Sequence, residues 1–501
     1  MNDSRERKAK LNIVVSLLCQ IITLLCGLVV PRVMIMAFGS EAYGATSSIT
    51  QFLAYIALLE GGISGVARAA LYKPLANNDI YKISQIMNQI QKFFRKIGYI
   101  FVVYVAVLAI FFNRISQTQY SWLWTFSLVI IISISTFAQY FIGISYSVLI
   151  QAAQRTYITQ AISIIATILN TVLIIILVNC GCNLLIVKLV SSCVFAFRPI
   201  AMSFYVHKKY KLIKHPDAGD DMLKQRWTAF GQHLAYFLHS NTDIAVLTIF
   251  SGLKSVAVYA IYSMVVSNIQ TVITSFSAGM EALFGDMLAK GEQKKLESTF
   301  NQYETMISVI TCTCFSTTMV LIVPFVKLYT RGVQDVNYTA NTFAILLSIA
   351  SVLYCLRQPY HSLVTAAGHF KQTKYAAYGE AVLNIVISVV LVKHCGLIGV
   401  AIGTVVSVGF RFVFYVIYIN KKILKRNIYS FLKRSSLNAG LILFIVAIGD
   451  RAIKAIAIDS YFTWVLCGFC VVVIAGIIVL SVNACLYKKD TDFLINKLRK
   501  R

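Results

Sequence analysis

The sequence predicts an all-α polytopic membrane protein with fourteen transmembrane helices. Two pseudo-symmetric six-helix lobes are followed by two extra C-terminal helices, with both termini in the cytoplasm. Three observations carry this reading. Apolar runs of roughly 20 residues, each long enough to cross a bilayer, recur along all 501 residues. Only 13% of residues are charged and 58% are hydrophobic, whereas soluble chains carry about 25% charged residues. Finally, the chain repeats itself. Residues 146–178 align without a gap on residues 360–392, with ten of 33 pairs identical, among them Tyr146/Tyr360, Thr159/Thr373 and Asn170/Asn384.

Hydropathy places the spans at about 11–35, 42–67, 97–113, 121–150, 157–179, 184–206, 227–252, 256–285, 303–329, 338–366, 373–393, 397–419, 435–453 and 460–487. With the N-terminus inside, the inside segments hold 34 Lys and Arg and the outside loops hold 7. A missed span would swap the sides of everything after it, so this ratio supports fourteen. It also accounts for most of the net charge of +26 without nucleic acid, since no basic patch interleaved with aromatics stands outside the spans. The first span follows basic residues as a signal peptide would. No small-residue cleavage site closes it, so it reads as an uncleaved span.

The repeat divides the chain. Residues 1–206 form an N-lobe of spans one to six, 207–226 a polar cytoplasmic linker, and 227–425 a C-lobe of spans seven to twelve. Residues 426–501 hold spans thirteen and fourteen and a basic tail. Six spans per half is an even number, so both halves keep one orientation, as in parallel repeats of transporters. Before span three, Asn78-Asp79 offers a helix cap. Ile83, Ile86, Met87, Ile90, Phe94 and Ile97 then recur at helical spacing among Lys and Arg. That pattern predicts an amphipathic helix on the cytoplasmic membrane surface.

Several function classes are excluded or disfavoured. The twelve cysteines lie mostly in spans and lack zinc-site spacing, so they read as packing residues. No Walker A loop is present. The short outer loops leave no room for a catalytic domain, which disfavours a membrane-embedded glycosyl polymerase. The chain reads as no enzyme and needs no organic cofactor.

Ionisable side chains within spans are the informative residues, because each costs about 2.5–3.5 kcal/mol at a helix centre on insertion scales. Span one carries a polar stripe of Asn12, Ser16, Gln20 and Thr23, then Arg32. Span two carries Glu60, Ser64 and Arg68 at spacings of four. Glu60 and Arg68 read equally as an ion pair or as ligands. Span eight has Glu281 at the position the repeat matches to Arg68. Span seven has His239 and Asp243 one turn apart, suited to a proton relay or to a fixed hydrogen bond. Arg357 and His361 share span ten with no carboxylate nearby on that helix. Arg198, Arg411 and Glu380 lie in spans six, twelve and eleven. Arginine outweighs carboxylate, and its planar fork matches phosphate oxygens. The pattern points to an anionic, phosphate-bearing cargo.

Pro31–Gly44 (PRVMIMAFGSEAYG) resembles the end of the first helix in Wzx-type polysaccharide flippases, of the multidrug/oligosaccharidyl-lipid/polysaccharide exporter superfamily. Leu58–Asp79 resembles that family's second helix, with Arg68 at its arginine position. His239–Phe250 and the pattern from Leu363 to Asn384 fit as well. The resemblance implies two six-helix lobes around a cationic cavity, opening alternately inward and outward in the bacterial cytoplasmic membrane. It implies an undecaprenyl-diphosphate-linked oligosaccharide as cargo, for capsule, exopolysaccharide or O-antigen, with membrane lipids and the polymerase and assembly proteins as partners. Spans thirteen and fourteen would then help form a groove for the lipid tail.

On this reading Arg32, Arg68 and Arg357 hold the diphosphate, with His361, Arg198 and Arg411 as further candidates. Moving two negative charges outward is favourable by about 4.6 kcal/mol per 100 mV, so the membrane potential alone can drive turnover. H+ or Na+ coupling through Asp243, Glu60 or Glu281 is the alternative. Two other cargos fit the same superfamily: a drug, exported with a cation through Asp243, Glu281 and Glu380, or lipid II.

Overall fold

The computed structural model describes residues 2–60, 63–213, 242–275, 277–456 and 458–487. Most of the expected linker, most of span seven with His239, and the basic tail lie outside the described residues. The described chain contains no strand. Twelve helical stretches in it are long and apolar enough to cross a membrane. The first of these, Glu6–Glu60, is 55 residues long and carries two of the expected spans.

The helices run as follows. α1 (Asn2–Ala54) is broken at Gly39, whose φ of 82° and ψ of 169° suit only glycine. A 3-10 turn (Tyr55–Glu60) leads to α2 (Ile63–Ala76), α3 (Ile80–Ser116) and α4 (Trp122–Ala138). A π turn (Gln139–Gly143) joins α4 to α5 (Ile144–Ala152), followed by α6 (Thr156–Asn179) and α7 (Leu184–Tyr210). α8 covers residues 242–250. Then come α9 (Leu253–Thr274), α10 (Ser277–Ala289), α11 (Gln293–Tyr329), α12 (Asn341–Leu356), α13 (Gln358–Ala366), α14 (Phe370–Cys395) and α15 (Leu397–Lys422). α16 (Ile428–Lys454) and α17 (Tyr461–Leu486) close the series.

The repeat is written into these boundaries. Adding the offset of 214 residues to Ala152, the end of α5, gives Ala366, the end of α13. The same offset carries Thr156, the start of α6, onto Phe370, the start of α14. α16 and α17 have no counterpart in the first half.

The chain divides into two compact units, Met1–Phe237 with Gly252–Ala257, and Leu238–Ser251 with Val258–Arg501. In the first, α1 packs on α6, and α7 packs on α4 and α6. Asn12 of α1 ties this packing down: its amide donates to the Gln154 carbonyl at 3.1 Å and its oxygen accepts from Tyr157 N at 2.8 Å. Part of the expected polar stripe on α1 therefore serves helix packing. In the second unit, α14 packs on α15, and α11 packs on α16 and α17.

α3 departs from expectation. Asp79 caps it, accepting from Lys82 N at 3.0 Å. Its apolar face, Ile83, Ile86, Met87, Ile90, Phe94 and Ile97, is at most 3% exposed. That face is spent on the core of the first unit rather than on the membrane surface. Full burial of each such side chain from water contributes about 1.5–3 kcal/mol, which fastens the first turns of this helix to the core.

All twelve cysteines are free.

Candidate substrate cavity and buried charge clusters

The first unit contains a cavity of about 550 Å³. Ten of its sixteen lining residues are polar or charged, whereas pockets for drug-like ligands are lined mainly by apolar side chains. Glu60 and Ser64 reach it from the 3-10 turn and α2. Ser135, Gln139 and Gln151 come from the α4–π turn–α5 segment, Gln160 and Ser163 from α6, and Arg198 from α7.

The π turn shapes the wall. A π turn inserts an extra residue and re-aims the side chains around it. Here Gln139 lines the cavity while Tyr140, next to it, donates its hydroxyl to Glu60 Oε1 at 2.7 Å. Gly143, at the end of the turn, faces Pro199. A Cβ at Gly143 would lie 3.1 Å from that ring, so glycine lets α7 come close enough to present Arg198.

Of the arginines expected to bind anion, Arg198 lines this wall and Arg68 bonds Gln151, which lines it. Arg198 Nη2 donates to Ser163 Oγ at 2.5 Å, and its guanidinium lies 5.8 Å from the Phe195 ring centre. Arg68 Nη1 donates to Gln151 Oε1 at 2.8 Å, and Gln151 Nε2 donates on to Ser147 Oγ at 3.1 Å. Neither guanidinium has a carboxylate partner among the described residues. Each is held by a neutral acceptor, so its positive charge stays available to an anion. The side chains of Ser64, Gln139 and Gln160 make no hydrogen bond among the described residues. Arg32 stands half-exposed on α1, ahead of the Gly39 break, and does not line this cavity.

In the second unit the arginines are differently placed. Arg357 Nη1 meets Glu380 Oε1 at 2.6 Å, and Arg411 Nη1 meets Glu380 Oε2 at 2.5 Å. Arg411 also donates to the Tyr415 hydroxyl at 2.9 Å. The His361 ring stacks on Tyr415 at 6.2 Å. The structure thus gives Arg357 and Arg411 a partner other than the diphosphate expected for them. Their charge is largely committed to a carboxylate that is itself wholly buried. Glu380 is committed in turn to these two guanidinium groups.

Asp243 lies at the end of a polar relay within this unit. Its Oδ2 accepts from the Tyr259 hydroxyl at 2.9 Å and lies 2.9 Å from Thr404 Oγ1, which receives the Asn384 amide at 3.3 Å. A carboxylate ringed by hydroxyl and amide groups can take up a proton or a small hard cation. Among the described residues no three His, Cys, Asp or Glu side chains cluster as a metal site. Glu281 sits half-buried on α10. The helix pair α2–α5, which carries Arg68 and Gln151, corresponds to α10–α13, where Glu281 and Thr365 take their places.

One cluster had no forewarning in the sequence. Glu304 of α11 accepts from Arg426 at 3.1 Å, from Arg434 of α16 at 2.9 Å and from the Tyr360 hydroxyl. Arg426 also reaches Asn301 and Asn420, and Arg434 lies over the Tyr487 ring at 4.5 Å. Burial works against the Arg426 charge, but Glu304 and Tyr360 more than offset it and raise its pKa above the ordinary value. The two arginines lie more than 100 residues from Glu304 in sequence, and neither falls in a predicted span.

Comparison with known proteins agrees with this architecture. Residues 229–390 match the MatE family model. A search of the curated proteins finds no match by sequence. Among solved structures, the chain is similar to the lipid II flippase MurJ in an inward closed conformation, at 15% identity and a TM-score of 0.69, over 95% of this chain and 98% of that one. It is also similar to an inward-facing multidrug resistance MATE family transporter of the MOP superfamily, at 14% identity and a TM-score of 0.59, over 81% of this chain and 98% of that one. A eukaryotic MATE transporter matches at 12% identity and a TM-score of 0.58, over 87% and 99%. The fold is therefore one shared by flippases and exporters of that superfamily.

Proposed function

We propose that the chain is a flippase that carries a polyprenyl-diphosphate-linked oligosaccharide across the bacterial cytoplasmic membrane by alternating access. The observation that carries this reading is the contrast between the arginines. Arg68 and Arg198 adjoin or line a polar cavity and, among the described residues, have neutral partners. Arg357 and Arg411 share a carboxylate. A guanidinium at membrane depth is costly without an anion, and a diphosphate supplies one with the geometry arginine fits. Arg32 is a further candidate contact. The polar cavity and the commitment of Glu380 both weigh against a cation-coupled drug exporter.

Helices α16 and α17 favour a cargo with a lipid tail, since they are additional to the repeat. The likeness to MurJ spans 95% of the chain, against 81–87% for the MATE transporters cited above. That likeness also favours a second reading, lipid II as the cargo, because it too is a polyprenyl diphosphate.

The experiment is export of surface polymer in a strain dependent on this protein. Arg68→Ala and Arg198→Ala should abolish export while the protein still inserts in the membrane. Unchanged export in both variants would overturn the assignment. Rescue of a strain depleted of lipid II flipping would decide for the second cargo.

A further inference from the structure

The cavity in the first unit holds more polar capacity than a diphosphate needs. We infer that it is also a carbohydrate subsite, in which Gln139, Gln160 and Ser64 read the hydroxyl groups of a pyranose ring joined to the diphosphate at Arg198. The inference rests on the proposed function and names what lies beside the phosphate.

Three observations support it. First, Gln139 and Gln160 each carry two N–H donors and an amide oxygen, and Ser64 a hydroxyl, with no hydrogen bond among the described residues. All three open onto the cavity rather than into packed core. Three together on one wall mark a surface built to be completed by a polar ligand or by water. Second, the polar part of the lining is mostly neutral amides and hydroxyls. Glu60 and Arg198 are its charged members, and the Glu60 carboxylate already accepts from Tyr140. Neutral amides and hydroxyls match vicinal hydroxyl groups, each of which donates and accepts. A site for free phosphate would concentrate cations instead. Third, the space of about 550 Å³ exceeds what a diphosphate fills and lies within the range of pockets that take drug-sized molecules, roughly 300–1,000 Å³. Covalent linkage does the rest: the sugar esterified to the diphosphate must lie beside whatever grips the phosphates.

Such a site would favour the glycosylated lipid over the bare diphosphate by the hydrogen bonds the sugar adds.

The test is binding to the purified full chain in nanodiscs, with two probes: undecaprenyl diphosphate, and the same lipid bearing one hexose. The wild-type protein should prefer the glycosylated probe. Gln139→Leu and Gln160→Leu should each lower the ratio of the two affinities about threefold to tenfold, the worth of one hydrogen bond. Gln160→Asn, a smaller perturbation, should lower it less. Arg198→Gln should weaken both probes together and leave the ratio. Equal wild-type affinity for the two probes would overturn the subsite while leaving the flippase reading intact. A preference that survives both leucine variants would place sugar recognition elsewhere and also overturn it. Failure of the wild type to bind either probe would instead count against the proposed function.

Discussion

Arg357 and Glu380 meet at 2.6 Å with neither side chain more than 4% exposed, and Arg411 takes the other carboxylate oxygen. Two cations on one anion leave a net positive charge in the interior. The order of mutational damage follows. Glu380→Gln leaves two like charges facing each other and should destabilise by about 3–5 kcal/mol, the cost of breaking a buried pair. Arg411→Met leaves a balanced pair and should cost less. Thermal unfolding in detergent measures both, and the reverse order would refute the description of this triad.

The Glu304 cluster fastens α16 to α11 and, through Tyr487, the end of α17. Glu304→Gln should loosen this helix pair before it affects the rest of the second unit. Hydrogen exchange should rise in residues 428–454 with little change in α14 and α15. Uniform protection in the variant would mean that apolar contacts alone hold α16.

On the proposed function, Asp243 is the candidate carboxylate for coupling transport to an ion, because its polar relay could hold a proton or a cation. Asp243→Asn keeps the hydrogen-bond acceptor for Tyr259 and Thr404 but removes the charge. Any dependence of transport on Na+ or pH in the wild type should disappear in the variant. A variant that retains the wild-type dependence would assign coupling to another group.

At Gly39 the backbone adopts φ 82° and ψ 169°. Gly39→Ala should cost about 1–3 kcal/mol, the usual strain of such a conformation. Gly27→Ala on the same helix meets no atom within 4 Å and should be neutral or slightly stabilising. Thermal midpoints of the two variants compare them directly.

The parts of this protein that hydropathy and period encode were legible. Span positions follow from apolar runs, and the offset of 214 residues carries two helix boundaries of one half onto those of the other. Arg198 stood out because a charge in a span is conspicuous, and Arg68 because it continues the four-residue spacing of Glu60 and Ser64 just past span two. Their neutral partners, Gln151 and Ser163, did not, since uncharged polar residues in spans commonly serve packing. Arg357 appeared unpaired because Glu380 lies 23 residues away on another helix. The π turn left no mark in composition, so Gln139 could not be aimed at the cavity. The apolar face of α3 fitted membrane and protein equally well, as periodicity tells which residues share a face but not what covers it.

The Arg68–Gln151 contact has a consequence for the life of the protein in the cell. An amide is a weak companion for a guanidinium, and on the proposed function the diphosphate of the cargo would bind Arg68 more strongly than Gln151 does. By linkage, a ligand that binds only the folded state adds about 2.7 kcal/mol of stability at a hundredfold excess over its dissociation constant. Molecules without cargo would then be the first to unfold and be degraded. Supply of the lipid-linked precursor would set not only the rate of transport but also how many copies of the carrier persist.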